Sequence, residues 1–554
     1  MHPSQILKTL RDHMLTSIRE TIYVMRHKGL GQVQFWLVAL IVGVLAGTAT
    51  GLFRMGIILI ETLVYGVDEQ GLATAVKAMP WYWVLTIPIV GGLMVGIILQ
   101  RFTPDGRARG VAQAIKGAAL QDGRVEGKAG LASAFASLIT LSMGGSAGRE
   151  GPVVHLGAVI SSKVSRWINA DAITGRNLMG CAAAAAVSAS FNAPIAGTLF
   201  ALEVVLRHYA VNAFAPIVIA SVSGSIISRL MFGDLIEFTL PEMSLQFYGE
   251  LPAFLILGLV SGIVAVAMMK AVFLAEDVGD NIQGRLNIPA WLRPAIAGSA
   301  LGGIALYFPH IIGVGYETTW NALNGNITLW AAILFAGTKV LAVAVTFAGR
   351  MGGGIFSPSL MVGALTGMAF GWVAMGILPS FESYATLYAL AGMAAVSAAV
   401  LGAPISTSLL VFEMTGDWQT GLAVLVAVST STALASRLVH KSFFLTQLER
   451  FGVHIAAGPQ AYLLATFSVA GLMRDCDEDH AACEELMAQD VFVDRHATLE
   501  SAMPLFARHE TQILPVVGYN GDQSTRALLG VLHEVDALRA FNQALVETAR
   551  EEHS

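Results

Sequence analysis

The chain is written in long apolar stretches separated by short polar ones. Several runs reach the roughly 20 apolar residues that carry a helix across a bilayer. They include "FWLVALIVGVLAGTATGLF" (Phe35–Phe53), "WYWVLTIPIVGGLMVGIIL" (Trp81–Leu99), "LPAFLILGLVSGIVAVAMM" (Leu251–Met269) and "LWAAILFAGTKVLAVAVTF" (Leu329–Phe347). Other runs are shorter and interrupted by glycine or proline, as at Gly151–Ile160 and Pro358–Gly363. Backbone amides find no partner in lipid, so a broken helix survives only inside protein or beside a cavity. The pattern predicts an all-α polytopic membrane domain over residues 35–446, with tilted and broken helices at its centre.

The pattern changes after Thr446. Charges rise and no spanning run remains, so residues 447–554 read as a small α/β domain. The order there is a helix over "LESAMPLFARHE", a strand at "ILPVV", a turn at "GYNGD", a strand at "ALLGVL" and a helix from Glu534. Ahead of the first run, residues 1–34 carry Lys8, Arg11, Arg19, Arg26 and Lys28. The positive-inside rule puts that segment in the cytoplasm. A basic amphipathic helix there leads to the same side. No cleavable signal-peptide pattern is present. Both termini are expected to be cytoplasmic, in an inner or plasma membrane.

Composition sharpens this picture. Of 554 residues 55% are hydrophobic and only 13% charged, against about 25% charged in soluble domains. The lipid bilayer is thus the first partner. A net charge of −6 gives no reason to expect nucleic acid. Three cysteines, Cys181, Cys476 and Cys483, make no disulfide framework and fit a reducing interior. "CDEDHAAC" (Cys476–Cys483) is metal-like in composition, but its spacing fits no standard zinc pattern, and it reads as a solvated acidic loop.

The interrupted segments repeat. "NAPIAGTLFALE" (Asn192–Glu203) matches "GAPISTSLLVFE" (Gly402–Glu413) at an offset of 210, and "GREGPVVHLGA" (Gly148–Ala158) matches "GIFSPSLMVGA" (Gly354–Ala364) at an offset of 206. Nearly equal offsets in the same order indicate a duplicated domain, with halves near 35–235 and 250–446. Interrupted helices at matching places in two halves mark a transport site. Each glycine turn precedes a helical run, and a helix start offers free N–H groups and a positive dipole end, which suit an anion. Close helix packing alone also explains such glycines, but the repeat and the adjacent charges favour the site. Glu150 then has a meaning: ionised, it occupies the anion site; protonated, it swings away and carries a proton. The plainer alternative is an ion pair with Arg149.

"GSAGREGP", "GGGIFSP" and "FNAPIAGTLFALE" resemble the signature motifs of the CLC family of chloride channels and proton/chloride antiporters, in family order, over Phe35 to Thr446. The resemblance implies a homodimer with one anion pathway per subunit, built from two inverted repeats. It implies that Glu150 is the external gating glutamate. It also implies that backbone amides of Ile355, Phe356 and the Arg149–Gly151 turn line the anion sites. The tail resembles a single CBS module, which implies regulation and an adenine nucleotide as a possible cofactor. "FSVAGLM" (Phe467–Met473) reads as the degraded start of a second copy.

Three departures from the family pattern bear on mechanism. In "ARGVA" (Ala108–Ala112), Arg109 and Gly110 stand where the family has a serine–glycine pair. Arg109 lines the pathway, sits at its cytoplasmic mouth, or is simply solvated. Phe444 stands where the family has a tyrosine whose hydroxyl binds the central anion. Losing both hydroxyls predicts weak central binding and loose selectivity. Val204 replaces the inner glutamate that relays protons in family antiporters. Glu203 beside it either substitutes through water or caps a helix, and its repeat partner Glu413 argues for the cap.

The expected function is passive or weakly proton-coupled transport of chloride and similar anions. The alternatives are a fully coupled antiporter and a transport-dead sensor. No nucleophile–base pair or metal constellation marks an enzyme. Lys339 is expected to snorkel or pair rather than attract anions, Arg350 to do either, and His155 to be packed and neutral.

Overall fold

The fold was analysed in a computed structural model. It describes residues 31–170, 172–209, 211–233, 250–377, 385–415, 417–453, 463–464, 467–476, 479–495, 497, 499–519 and 526–553. The basic N-terminal residues Lys8 to Lys28 and most of the "GYNGD" turn lie outside them.

Each of the four long apolar runs is a helix or lies within one. Gln32–Tyr65, Trp81–Phe102, Leu251–Leu286 and Leu329–Ala348 are continuous. Among the described residues, seven helices are long and apolar enough to cross a membrane. The helices carry large apolar side chains outward: Leu59, Leu63, Ile97, Leu230, Leu274 and Ile333 are at least half exposed. Trp81, Tyr82 and Trp83 form an exposed aromatic cluster at one helix start, as at a membrane interface. Inward faces are small. Gly363 and Gly392 approach so closely that a Cβ on either would lie 2.4–2.6 Å from the other's carbonyl oxygen. Alanine and glycine allow this backbone-to-backbone packing, which replaces the hydrophobic drive that lipid removes.

The repeated segments are the starts of helices, two of them short. Glu150–Trp167 repeats as Phe356–Ile377, and Pro194–Phe200 repeats as Pro404–Thr415. The hydrogen bonds fix their relative direction. Glu203, near the end of one short helix, accepts from the amides of Ile405 and Ser406 at the start of the other, at 3.0 and 2.8 Å. Glu413, at the end of that other helix, accepts from the amides of Ile195 and Ala196 at 2.9 and 2.7 Å. Each helix caps its partner's N-terminus, so the two run antiparallel. That reciprocity is the signature of an inverted repeat.

The last helix of the membrane core is Phe443–Arg450, and Leu448 is buried with that core. The boundary read at Thr446 therefore cuts a helix. A composition change marks where lipid-facing residues stop, and this short helix turns its apolar residues Phe443, Phe444 and Leu448 inward.

The tail packs around Val469, Val493, Leu499, Phe506, Leu514, Val516 and Leu532. Its strands β1 (Val493–Asp494), β2 (Ile513–Tyr519) and β3 (Arg526–His533) lie in that order, the first pair parallel and the second antiparallel. Helices Leu499–His509 and Glu534–His553 flank them. "FSVAGLM" does not start a second copy. Val469 is buried in the same core, and its amide donates to Ala497 O at 2.8 Å. Nor is "CDEDHAAC" all solvated loop: a helix starts at His480, and Cys483 is fully buried.

Candidate anion pathway

The two glycine turns meet. Gly148 N donates to Gly354 O and Gly354 N to Gly148 O, both at 2.7 Å. The two chain segments, far apart in sequence, thus form a two-residue antiparallel bridge. The Glu150 helix leaves it in one direction and the Phe356 helix in the other. Neither turn tolerates a side chain: a Cβ at Gly354 would lie 2.8 Å from Gly151 N.

Glu150 closes this junction. Its carboxylate is 1% exposed and accepts from Ser357 N at 3.3 Å and from the Ser357 hydroxyl. Ser357 is in the first turn of its helix, so its amide has no intrahelical acceptor. The carboxylate occupies the place that a small anion would take at that helix start. Arg149 is not its partner. The guanidinium turns away to Glu69 at 3.3 Å and to Ser190 O at 2.9 Å, with Tyr316 beneath it at 5.0 Å. Only the backbone of Arg149 belongs to the turn.

A vestibule opens on the other side of the bridge. It is lined by Arg109, Gly110, Gly151, Gly354, Ile355 and Phe444, among others. The starts of four helices converge there: Val111–Leu120, Glu150–Trp167, Phe356–Ile377 and Phe443–Arg450. Four positive dipole ends face one small space. The sequence-predicted residues Gly110, Gly151, Ile355 and Phe444 are thus brought together. Phe444 is buried and presents an aromatic ring rather than a hydroxyl. Phe356 packs between Phe191 and Phe200, at ring distances of 5.0 and 6.0 Å, leaving its backbone at the helix start.

Arg109 lines the vestibule but its charge is engaged at the rim. The guanidinium pairs with Asp105 at 2.8 Å and reaches Glu126 at 3.8 Å. Its side chain is largely buried between these carboxylates, so it is not a freely solvated arginine. Arg350 also lines the vestibule and bonds Asp280 at 3.1 Å, and Asp280 holds Arg107 and Arg293 as well. Asp280 thus gathers three arginines, while Glu276, which also lines the vestibule, lies 3.9 Å from Arg450, so the mouth is a mesh of paired charges of both signs.

Val204 and Glu203 lie in a π-helical turn, Ala201–Leu206. Val204 is buried and apolar. Both Glu203 oxygens are occupied by the cap, and Ser406 Oγ adds a third bond at 2.8 Å. A charged cap bonded this way is worth about 1–3 kcal/mol. Glu203→Ala and Glu413→Ala are each expected to lower thermal stability by that order, and Glu203→Gln by less. A Glu203→Ala protein as stable as the parent would contradict the capping role.

Lys339, fully buried, donates to Ile311 O and Gly313 O at 3.0 Å each. Gly313 N in turn holds Gly145 O, so this lysine braces the first glycine turn. His155 is packed as expected, although neither ring nitrogen has a hydrogen-bond partner among the described residues. Sequence reading missed Ser357, the partner of the Glu150 carboxylate. Its only local signal was its place in the first turn after "GGGI".

Comparison with known proteins agrees with this geometry. Residues 91–436 match the family described as voltage gated chloride channel, and residues 483–543 match the CBS domain. The chain is 30% identical over 421 residues to a putative chloride channel protein ClcB-like of Ralstonia nicotianae, covering 74% of this chain and 96% of that one. It is 30% identical over 424 residues to an H(+)/Cl(-) exchange transporter ClcA of Klebsiella pneumoniae, covering 75% and 89%. A solved slow cyanobacterial Cl−/H+ antiporter superposes with a TM-score of 0.66 at 24% identity, over 76% of this chain and 98% of that one. The chain belongs to the voltage gated chloride channel (CLC) family, as a multi-pass membrane protein with a C-terminal CBS domain.

Proposed function

We propose that this protein carries chloride and similar monovalent anions across the membrane, with Glu150 as the gate and little or no fixed proton coupling. The observation that carries the reading is the Glu150 carboxylate seated on Ser357, above a vestibule where four helix starts converge. It sits as a tethered competitor for the anion. Protonation removes the charge and frees the site. Weak coupling rests on the inner side. Val204 cannot relay a proton, and Glu203 is committed to a helix cap. The intact gate and turns count against a transport-dead sensor. The name of the Klebsiella relative favours the rival reading, a coupled exchanger.

Within this proposal the protein works as a homodimer, with both termini in the cytoplasm and an adenine nucleotide as a candidate ligand of the tail. ATP titration of the full-length protein, read by its thermal shift, tests the last point. No shift at millimolar ATP would remove it.

Phe444 gives a specific test of the central site. Phe444→Tyr adds a hydroxyl donor to the vestibule, worth about 1 kcal/mol or about fivefold in anion affinity. Calorimetric titration with chloride is expected to show that tightening. Unchanged affinity would mean that the ring does not face the bound anion.

A further inference from the structure

The tail holds a pair of thiols that the transport reading does not use. Cys476 Sγ and Cys483 Sγ lie 3.1 Å apart. Cys476 lies two residues after Arg474 and Cys483 lies in the helix His480–Ala488, and both are tied to β3 and the helix after it. On one side, Arg474 pairs with Val531 through two backbone bonds of 2.9 Å, and its side chain pairs with Asp536 at 2.6 Å. On the other side, Cys483 N donates to Asp479 O at 2.9 Å, and the Asp479 carboxylate meets His533 at 3.3 Å. The sulfur approach is therefore built into the module's scaffold. Closing it to a covalent bond takes about 1 Å of movement, since S–S bonds are about 2.05 Å.

We infer that Cys476 and Cys483 are a reversible dithiol–disulfide site in the CBS domain, oxidised by low-molecular-weight disulfides. The two sulfurs differ in access. Cys476 is partly exposed and Cys483 is buried. Burial also holds the Cys483 thiol above its ordinary range, so Cys476 is the entry point. The Cys476 thiolate attacks one sulfur of the oxidant, forming a mixed disulfide and releasing one thiolate. Cys483 loses its proton to that thiolate or to solvent. Its sulfur then attacks Cys476 Sγ and expels the second thiolate. Two protein thiols and one small disulfide become one protein disulfide and two small thiols. A partly exposed disulfide of this kind is the reducible sort, so the pair rests as thiols in a reducing interior and closes when the glutathione pool oxidises. Among the described residues, neither cysteine belongs to a group able to hold a metal ion.

The test uses the purified full-length protein. It is reduced, freed of reductant, treated with oxidised glutathione, then denatured and alkylated with N-ethylmaleimide. Peptide mass spectrometry is expected to show alkylatable cysteines falling from three to one, Cys181, with Cys476 and Cys483 joined within one chain. Dithiothreitol restores all three. Protein unfolded in urea before oxidation forms the bond far more slowly. Cys483→Ser is expected to stop at a glutathione adduct on Cys476. The wild-type readout stands even if that variant folds poorly. Three results would each overturn the inference: both thiols still alkylated after oxidant, a stable glutathione adduct on wild-type Cys476, or a disulfide joining two chains. Protection by added zinc without oxidant, and no bond with it, would reassign the pair to metal binding.

Discussion

Glu150→Gln is expected to abolish the pH dependence of anion flux and to stop any proton movement tied to it. In the wild type the carboxylate, when ionised, is held by two bonds from Ser357. Flux therefore rises as external pH falls and protonation frees the gate, and it falls as pH rises. Glutamine keeps the shape and removes the titration. A bond to a charged group is worth about 1–1.5 kcal/mol more than a neutral one, so losing the charge lowers the closed-to-open ratio by about tenfold at neutral pH. Glu150→Ala removes the tether altogether and leaves the site open to the anion. Chloride efflux from proteoliposomes across an acid-to-neutral series checks both variants. A pH profile unchanged from wild type in either variant would remove Glu150 as the gate.

Gly354→Ala is expected to cut anion flux by about tenfold or more while leaving the helical content intact. The reason is a collision of backbones. A Cβ on Gly354 would stand 2.8 Å from Gly151 N, and one on Gly151 would stand 3.0 Å from Gly354 Cα. No flexible side chain is there to yield. The reciprocal bridge between Gly148 and Gly354 must open, and each backbone bond lost is worth about 1 kcal/mol net. The turns that aim the helix starts at the anion then part. Gly303→Ala is the control, because a Cβ there meets nothing within 4 Å. Flux and circular dichroism on both variants decide it. Wild-type flux from Gly354→Ala would mean that the bridge does not set the site.

Much of the site was legible in the sequence because its chemistry is local. Glycine turns before apolar helices, a glutamate at membrane depth and two repeated segments at nearly equal offsets need no tertiary knowledge. The repeat even hinted that Glu203 and Glu413 share a role. It did not disclose that each caps the helix carrying the other, because equivalence in sequence says nothing about contact in space. The same limit hid Ser357, which is 207 residues from the carboxylate it binds. It hid Glu69 as well, 80 residues before the arginine it holds. Arg109 was readable only as a set of alternatives. Its placement depended on Asp105 and Glu126 answering its charge at the rim. Two of the tail's strands, β2 and β3, followed from their apolar runs, whereas β1, two residues long, carries no such run and was not read. The thiol pair did not, since spacing across a turn does not report the distance between sulfurs.

The central claim is anion passage through a Glu150-gated site without fixed proton coupling. Recording chloride efflux and proton uptake together, in proteoliposomes of the purified protein, tests it most directly. The account predicts chloride flux that fails to drive protons uphill. Protons driven uphill at a fixed ratio to chloride would contradict it, and would mean that a proton reaches Glu150 past Val204.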